Sequence, residues 1–362
     1  MDQQPKQGQN FLKSVKDTCY YYIPRAGKII KKVLKYFLTI AIFLALIFII
    51  FVIYLCVGKP PIAKETTWGV NFSQKHAKLL KLEWKEAYLA LLDDLKVKNI
   101  KVAAHWDLLE PEDGNFYFED LDWQINEAEK RGAKILLAIG MKTPRWPECH
   151  MPEWAKNLGK EKQQEKILEM LQNIVLRYKD SPTIKYWQVE NEPFFPFGDC
   201  QWVDKSFLRE EVNLVKSLDI LKRPVIISDS GEGSLWISAA RFGDIVGTTM
   251  YKKVWFRQLG IYIYYPTPPS FFWKKAQLIR KIFKKDVMVV ELQAEPWGPK
   301  LLYDSPLEEQ KKTMDLEQFK TNIDFARRTG LKEFYLWGSE WWFWMKKSQN
   351  DSQIWDEAKN LF

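Results

Sequence analysis

The chain has 362 residues, 46% of them hydrophobic and 28% charged, a composition that builds a large core and excludes a disordered chain. Its net charge of +8 is lopsided, with ten Lys or Arg against three acidic residues in residues 1–65 and 44 against 43 beyond. The main domain is therefore close to neutral, which argues against nucleic acid as a partner.

The basic arm carries Lys6, Lys13, Lys16, Arg25, Lys28, Lys31, Lys32 and Lys35. Residues 36–58 follow with no charge over 23 positions, long enough as a helix to cross a hydrocarbon core of about 30 Å. A cleaved secretory signal has an apolar stretch of only about 7–15 residues and a small-residue exit, and neither is present. The sequence predicts a cytoplasmic arm at 1–35, a single transmembrane signal anchor at 36–58 in the lipid bilayer, a proline-stiffened linker at 59–65, and a domain at 66–362. The excess of lysine before the span keeps the N-terminus cytoplasmic and puts the domain outside the cell membrane.

From residue 66 onward, short apolar runs alternate with amphipathic stretches. Strands are expected at 67–72, 100–104, 133–139, 184–189, 224–228, 244–250, 286–290 and 333–337. Helices are expected at 84–97, 119–131, 161–179, 203–219, 271–284, 315–329 and 351–360, with a weaker pattern near 234–241. Eight runs covered on both faces and separated by helices predict an α/β fold of the (β/α)8 TIM-barrel type. No G-x-G-x-x-G follows a strand, which disfavours a doubly wound sheet.

Two glutamates each close one of these runs. Glu192 ends Ile184-Lys185-Tyr186-Trp187-Gln188-Val189-Glu190-Asn191-Glu192, before Pro193, and Glu291 ends Val287-Met288-Val289-Val290-Glu291. Two carboxyls at the C-terminal mouth of one barrel can share the work of cutting a glycosidic bond with retention. Glu295 lies further out and competes with Glu291 for the nucleophile's place. Alternation puts Glu190 on the same side as Glu192, nearer the interior and paired with a basic residue.

The segment Asn191-Glu192-Pro193 and the run His105-Trp106-Asp107-Leu108-Leu109-Glu110-Pro111-Glu112-Asp113-Gly114-Asn115-Phe116-Tyr117-Phe118 resemble motifs of glycoside hydrolase clan A. This clan holds retaining barrel enzymes that include cellulase-like and β-galactosidase-like families. The resemblance covers roughly 66–362. It implies that Glu192 is the general acid/base, that Glu291 is the nucleophile, and that Asn191 bonds the sugar 2-hydroxyl. It also implies that Tyr251, at the end of the sixth strand, bonds the nucleophile and that Trp337, at the end of the eighth, lies under the sugar. Lys101 stands where the clan often has an arginine, keeping the charge but not the planar fork. Trp106 and Trp297 complete the expected substrate-binding set, drawn from 17 tryptophans.

Cys149 and Cys200 fall in the loops after the third and fourth strands. Neighbouring strands are about 4.8 Å apart, so these loops are adjacent and a disulfide is expected between them. His76, His105 and His150 lie in separate segments without metal-ligand spacing, and the mechanism needs neither a metal nor a cofactor. The expected function is a membrane-anchored retaining β-glycoside hydrolase acting on a β-linked poly- or oligosaccharide. The alternatives are a catalytically silent carbohydrate-binding barrel and a transglycosylase using the same residues.

Overall fold

The computed structural model describes residues 6–63 and 65–362, apart from the side chains of residues 6–12 and 17–30. The described residues divide into two compact units, one ending at residue 57 and the other beginning at residue 58. The first is a single helix, Lys6–Cys56, so the part of the basic arm that is described continues into the apolar span without a break. Within it, Lys31–Cys56 has a mean hydropathy of 3.1 over its most apolar stretch, long and apolar enough to cross a membrane.

The second unit is a closed barrel. Its strands are β1 (Thr67–Phe72), β2 (Asn99–Ala103), β3 (Lys134–Ile139), β4 (Ile184–Val189), β5 (Val225–Asp229) and β6 (Ile245–Met250). A hairpin of β7 (Lys253–Phe256) and β8 (Ile261–Tyr264) intervenes before β9 (Asp286–Gln293) and β10 (Glu333–Trp337). The eight barrel strands pair in parallel around the ring in the order β1-β10-β9-β6-β5-β4-β3-β2. All eight lie where the apolar runs predicted them. The hairpin was not anticipated, although the apolar runs at 253–256 and 261–264 flanking Gly260 are a legible signal for one. The helix Ser339–Ser348 also escaped the sequence reading, because its tryptophans obscure the amphipathic period.

Strand alternation sorts the side chains into two cores. One face of each strand packs on the helices, where Val70, Phe72, Ile100, Val102, Trp187 and Val189 are buried. The other face fills the barrel, with Leu136, Ile226, Met288, Val290 and Tyr335 forming an apolar layer. By the same alternation Asn71, Lys101, Gln188 and Ser228 point inward, and all are buried. Asn71 Nδ2 donates to the carbonyls of Val290, Tyr335 and Leu336 and Gln188 Nε2 to Ser228 Oγ, whereas Asn71 Oδ1 and Gln188 Oε1 are buried without a hydrogen-bond partner among the described residues.

Alternation alone would turn Glu291 outward, because Val290 already faces the barrel. The register with β6 instead runs Thr248 to Val289 and then Thr249 to Glu291, so β9 carries one extra residue at that point. This bulge sends Glu291 inward after Val290 and returns Leu292 to the outer core.

Candidate active site

The chain leaves β4 through two left-handed residues, Glu190 at φ +59° and Glu192 at φ +42°. Such a conformation costs a non-glycine residue on the order of 1 kcal/mol and persists only where the surroundings hold it. They do so here through Ser228 Oγ, which accepts from the Glu192 N–H at 2.8 Å, and Lys142 Nζ, which donates to the Glu192 carbonyl at 3.0 Å. Glu190 accepts from the backbone N–H groups of Met141 at 2.8 Å and Lys142 at 2.6 Å, and it also bonds the buried Glu211 carboxyl. The expected basic partner for Glu190 is thus replaced by backbone amides and a second acid. Only glycine fits at Gly140, where a Cβ would lie 2.4 Å from Glu190 Oε1.

The Glu192 carboxyl is buried and accepts from Thr249 Oγ1 at 3.3 Å. Burial, then the charges of Glu291 and Glu148, raise its pKa well above the usual glutamate range. Glu291 meets a different environment, with Lys101 Nζ 3.0 Å from Oε1 and Tyr251 Oη donating to Oε2 at 3.1 Å. The Tyr251 hydroxyl is held protonated by burial and by Glu291 and Glu192, so it remains a donor. One carboxyl therefore favours its acid form while the other is matched by two donors. Such a pair can deliver a proton on one side of a bond and a nucleophile on the other.

A third carboxyl, Glu148, was not singled out in the sequence. It accepts from Asn191 Nδ2 at 3.0 Å, while Asn191 Oδ1 accepts from Gln188 Nε2 at 3.0 Å. The amide of Asn191 is therefore held at both ends. Burial pushes the Glu148 pKa up to about 7, with Lys142 opposing the shift and Glu291 adding to it. No strand pattern points to Glu148, because it sits in an irregular loop at φ +70°.

Glu295 is engaged elsewhere. The buried Arg145 guanidinium grips it with both terminal nitrogens and also reaches Glu340 at 3.0 Å. Burial would raise the Glu295 pKa, but Arg145 and His76 outweigh it and hold it at about 2. Arg145 lies over the ring of Trp337, 4.0 Å from its centroid, so one face of that indole is already covered. Trp297 packs edge-on against Tyr251 at 5.2 Å and is partly exposed. Trp106 is not brought to the mouth. It is fully buried, with its indole N–H on Glu110 and its ring against Trp154, so it packs the turn beneath the 105–118 segment and has no face for a sugar.

Cys149 and Cys200 are joined, with Cα atoms 5.2 Å apart. His105 and His150, separate in sequence, have ring centroids 4.0 Å apart. Among the described residues no group of three His, Cys, Asp or Glu side chains could hold a metal ion.

A glycoside hydrolase family 42 model, described as β-galactosidase, matches residues 81–209, which include Asn191 and Glu192. A curated β-galactosidase from Clostridium perfringens is 32% identical over 143 residues, covering 32% of this chain and 20% of that protein. The likeness is to clan A glycoside hydrolases. A β-galactosidase from the haloarchaeon Halorubrum lacusprofundi superposes with a TM-score of 0.53 at 16% identity, over 75% of this chain and 52% of that one. An endo-β-1,4-xylanase of glycoside hydrolase family 10 from Gloeophyllum trabeum gives 0.52 at 15% identity, over 76% and 85%. These structures share the parallel barrel fold. The chain spans about a fifth of the curated relative and about half of the haloarchaeal enzyme.

Proposed function

We propose that the chain is a retaining β-glycoside hydrolase. Glu192 protonates the leaving oxygen while Glu291 attacks the anomeric carbon, and Glu192 then removes a proton from the water that releases the glycosyl ester. The observation that carries this reading is the contrast between the two carboxyls. Glu192 is raised by burial and by its acidic neighbours, whereas Glu291 faces Lys101 and Tyr251. The capture of Glu295 by Arg145 favours Glu291 over its rival. Asn191, fixed by Gln188 and Glu148, is placed in this reading against the sugar 2-hydroxyl.

A panel of β-glucans, xylans, mannans and β-galactosides, with product anomers followed by NMR, tests the reading. The expected outcome is release of the β-anomer first; initial release of the α-anomer, or no turnover of any member, would refute it. The same spectra separate hydrolysis from transfer to a second glycan.

Glu148 offers a test of the acid's surroundings. Glu148→Gln keeps an acceptor for Asn191 but removes a negative neighbour of Glu192, which lets Glu192 ionise at lower pH. The alkaline limb of the kcat/KM profile is expected to move toward lower pH. A limb that stays in place would limit Glu148 to holding Asn191.

The apolar helix at Lys31–Cys56 supports anchoring in a membrane, with the lysine-rich arm inside and the barrel outside. Protease added to intact cells is expected to digest the barrel and leave the arm protected. A mature chain beginning near residue 59 would show instead that the span is removed as a signal.

A further inference from the structure

Glu211 puts an acid in the middle of an apolar stripe. The helix Lys205–Leu218 buries Phe207, Leu208, Val212 and Val215 along one side, and Glu211, only 1% exposed, shares that side. Among the described residues no donor reaches its buried Oε1. Across the packing lies Glu190, just past β4, and the two side chains are hydrogen-bonded. Two ionised carboxylates have no proton to share, so the bonded pair keeps one.

The surroundings decide which side chain owns that proton. Glu190 accepts from the Met141 N–H at Oε1 and from the Lys142 N–H at Oε2, and the Lys142 charge also favours its ionised form. Glu211 meets burial and the negative charges of Glu190 and Glu210, all of which favour its acid form. The proton therefore belongs to Glu211, which donates it to Glu190. Glu190 then has three donors, two from the backbone after β3 and one from the helix.

The backbone that Glu190 grips carries the acid/base turn. Lys142 Nζ donates to the carbonyls of Glu192 at 3.0 Å and Phe195 at 2.9 Å, and the Lys142 carbonyl accepts from the Asn191 N–H at 2.6 Å. The left-handed residues that present the Glu192 carboxyl are held by these bonds. We propose that Glu211 is a positioning residue for Glu192: its carboxylic acid clamps Glu190 onto the Met141–Lys142 backbone and so fixes the turn that aims the Glu192 proton. The inference rests on the hydrolase reading and goes beyond it, since Glu211 acts through Glu190 and Lys142.

The test uses the full chain in detergent micelles, with an aryl β-glycoside of poor leaving ability and the matching β-glycosyl fluoride. Glu211→Met keeps the length of the side chain in its apolar stripe but removes the donor; Glu211→Gln keeps a donor for Glu190. Glu211→Met is expected to lower kcat/KM about tenfold on the aryl glycoside and less than about twofold on the fluoride, which departs without a proton. Glu211→Gln is expected to restore the aryl glycoside to within about threefold of the unaltered chain. Equal losses on both substrates, no loss in Glu211→Met, or no rescue in Glu211→Gln would overturn the positioning role while leaving the hydrolase intact. Infrared difference spectra near neutral pH supply a reading that needs no turnover: Glu211→Gln should lack one carboxylic-acid C=O band of the unaltered chain. Retention of that band would overturn the shared proton and the proposal with it. Turnover of neither substrate by the unaltered chain would overturn the hydrolase reading and the positioning role together, and the infrared band tells that failure from a failure of the pair.

Discussion

Glu291→Ala is expected to lower kcat on an activated aryl β-glycoside by about 10⁴-fold or more, because the carboxylate proposed to form the covalent ester is gone. Glu295 cannot substitute, since both of its oxygens are held by Arg145. Azide fits the space left by the carboxylate and should restore part of the turnover, giving the α-glycosyl azide by a single displacement. That product is decisive, because inversion arises only when the protein's own nucleophile has been bypassed. Activity near that of the unaltered chain, or a β-azide product, would remove Glu291 from the role. Lys101 and Tyr251 lose their shared partner in this variant, so its thermal midpoint belongs beside the kinetics.

Glu192→Gln carries the second large effect. Loss of the proposed general acid should lower kcat/KM by about 10²–10⁴-fold on substrates with poor leaving groups, and far less on fluorides that depart without a proton. The alkaline limb of the pH profile should vanish with it, since the titrating acid is gone. Stability supplies an independent reading. Glu192 has a folded pKa raised by burial, Glu291 and Glu148, so the folded chain holds a proton that the unfolded chain releases above about pH 4.3. The stability it contributes is present below that pH and is lost as pH rises through the raised value. Glu192→Gln should therefore make the thermal midpoint less sensitive to rising pH. An unchanged pH dependence in both kinetics and stability would show that Glu192 is not the titrating acid.

The fold was legible at the level of strands because each barrel strand is covered on both faces and reads as an apolar run, whatever its neighbours do. The place of Glu192 just past the end of β4 was legible for a related reason, since Asn191 and Pro193 close such a run. Lys101 could be placed from alternation, flanked by two residues of the outer core. Elsewhere the local period misled. Glu190 and Glu192 lie beyond the strand in left-handed turns, so alternation does not govern where their carboxyls point. Trp106, grouped with the substrate-binding tryptophans, packs a turn instead because Glu110 and Trp154 enclose it.

The sequence by itself determined the alternation of strand and helix, the uncharged span, and the residue types available for acid, nucleophile and donor. Those are properties of short segments, set by hydrophobic period and side-chain chemistry. The tertiary structure set the surroundings of each carboxyl. The bulge in β9 turns Glu291 inward, Arg145 withdraws Glu295, and burial beside Glu291 and Glu148 keeps the Glu192 proton. Each of these depends on residues tens to hundreds of positions apart, and a carboxyl's charge and direction follow from what the closed barrel packs around it.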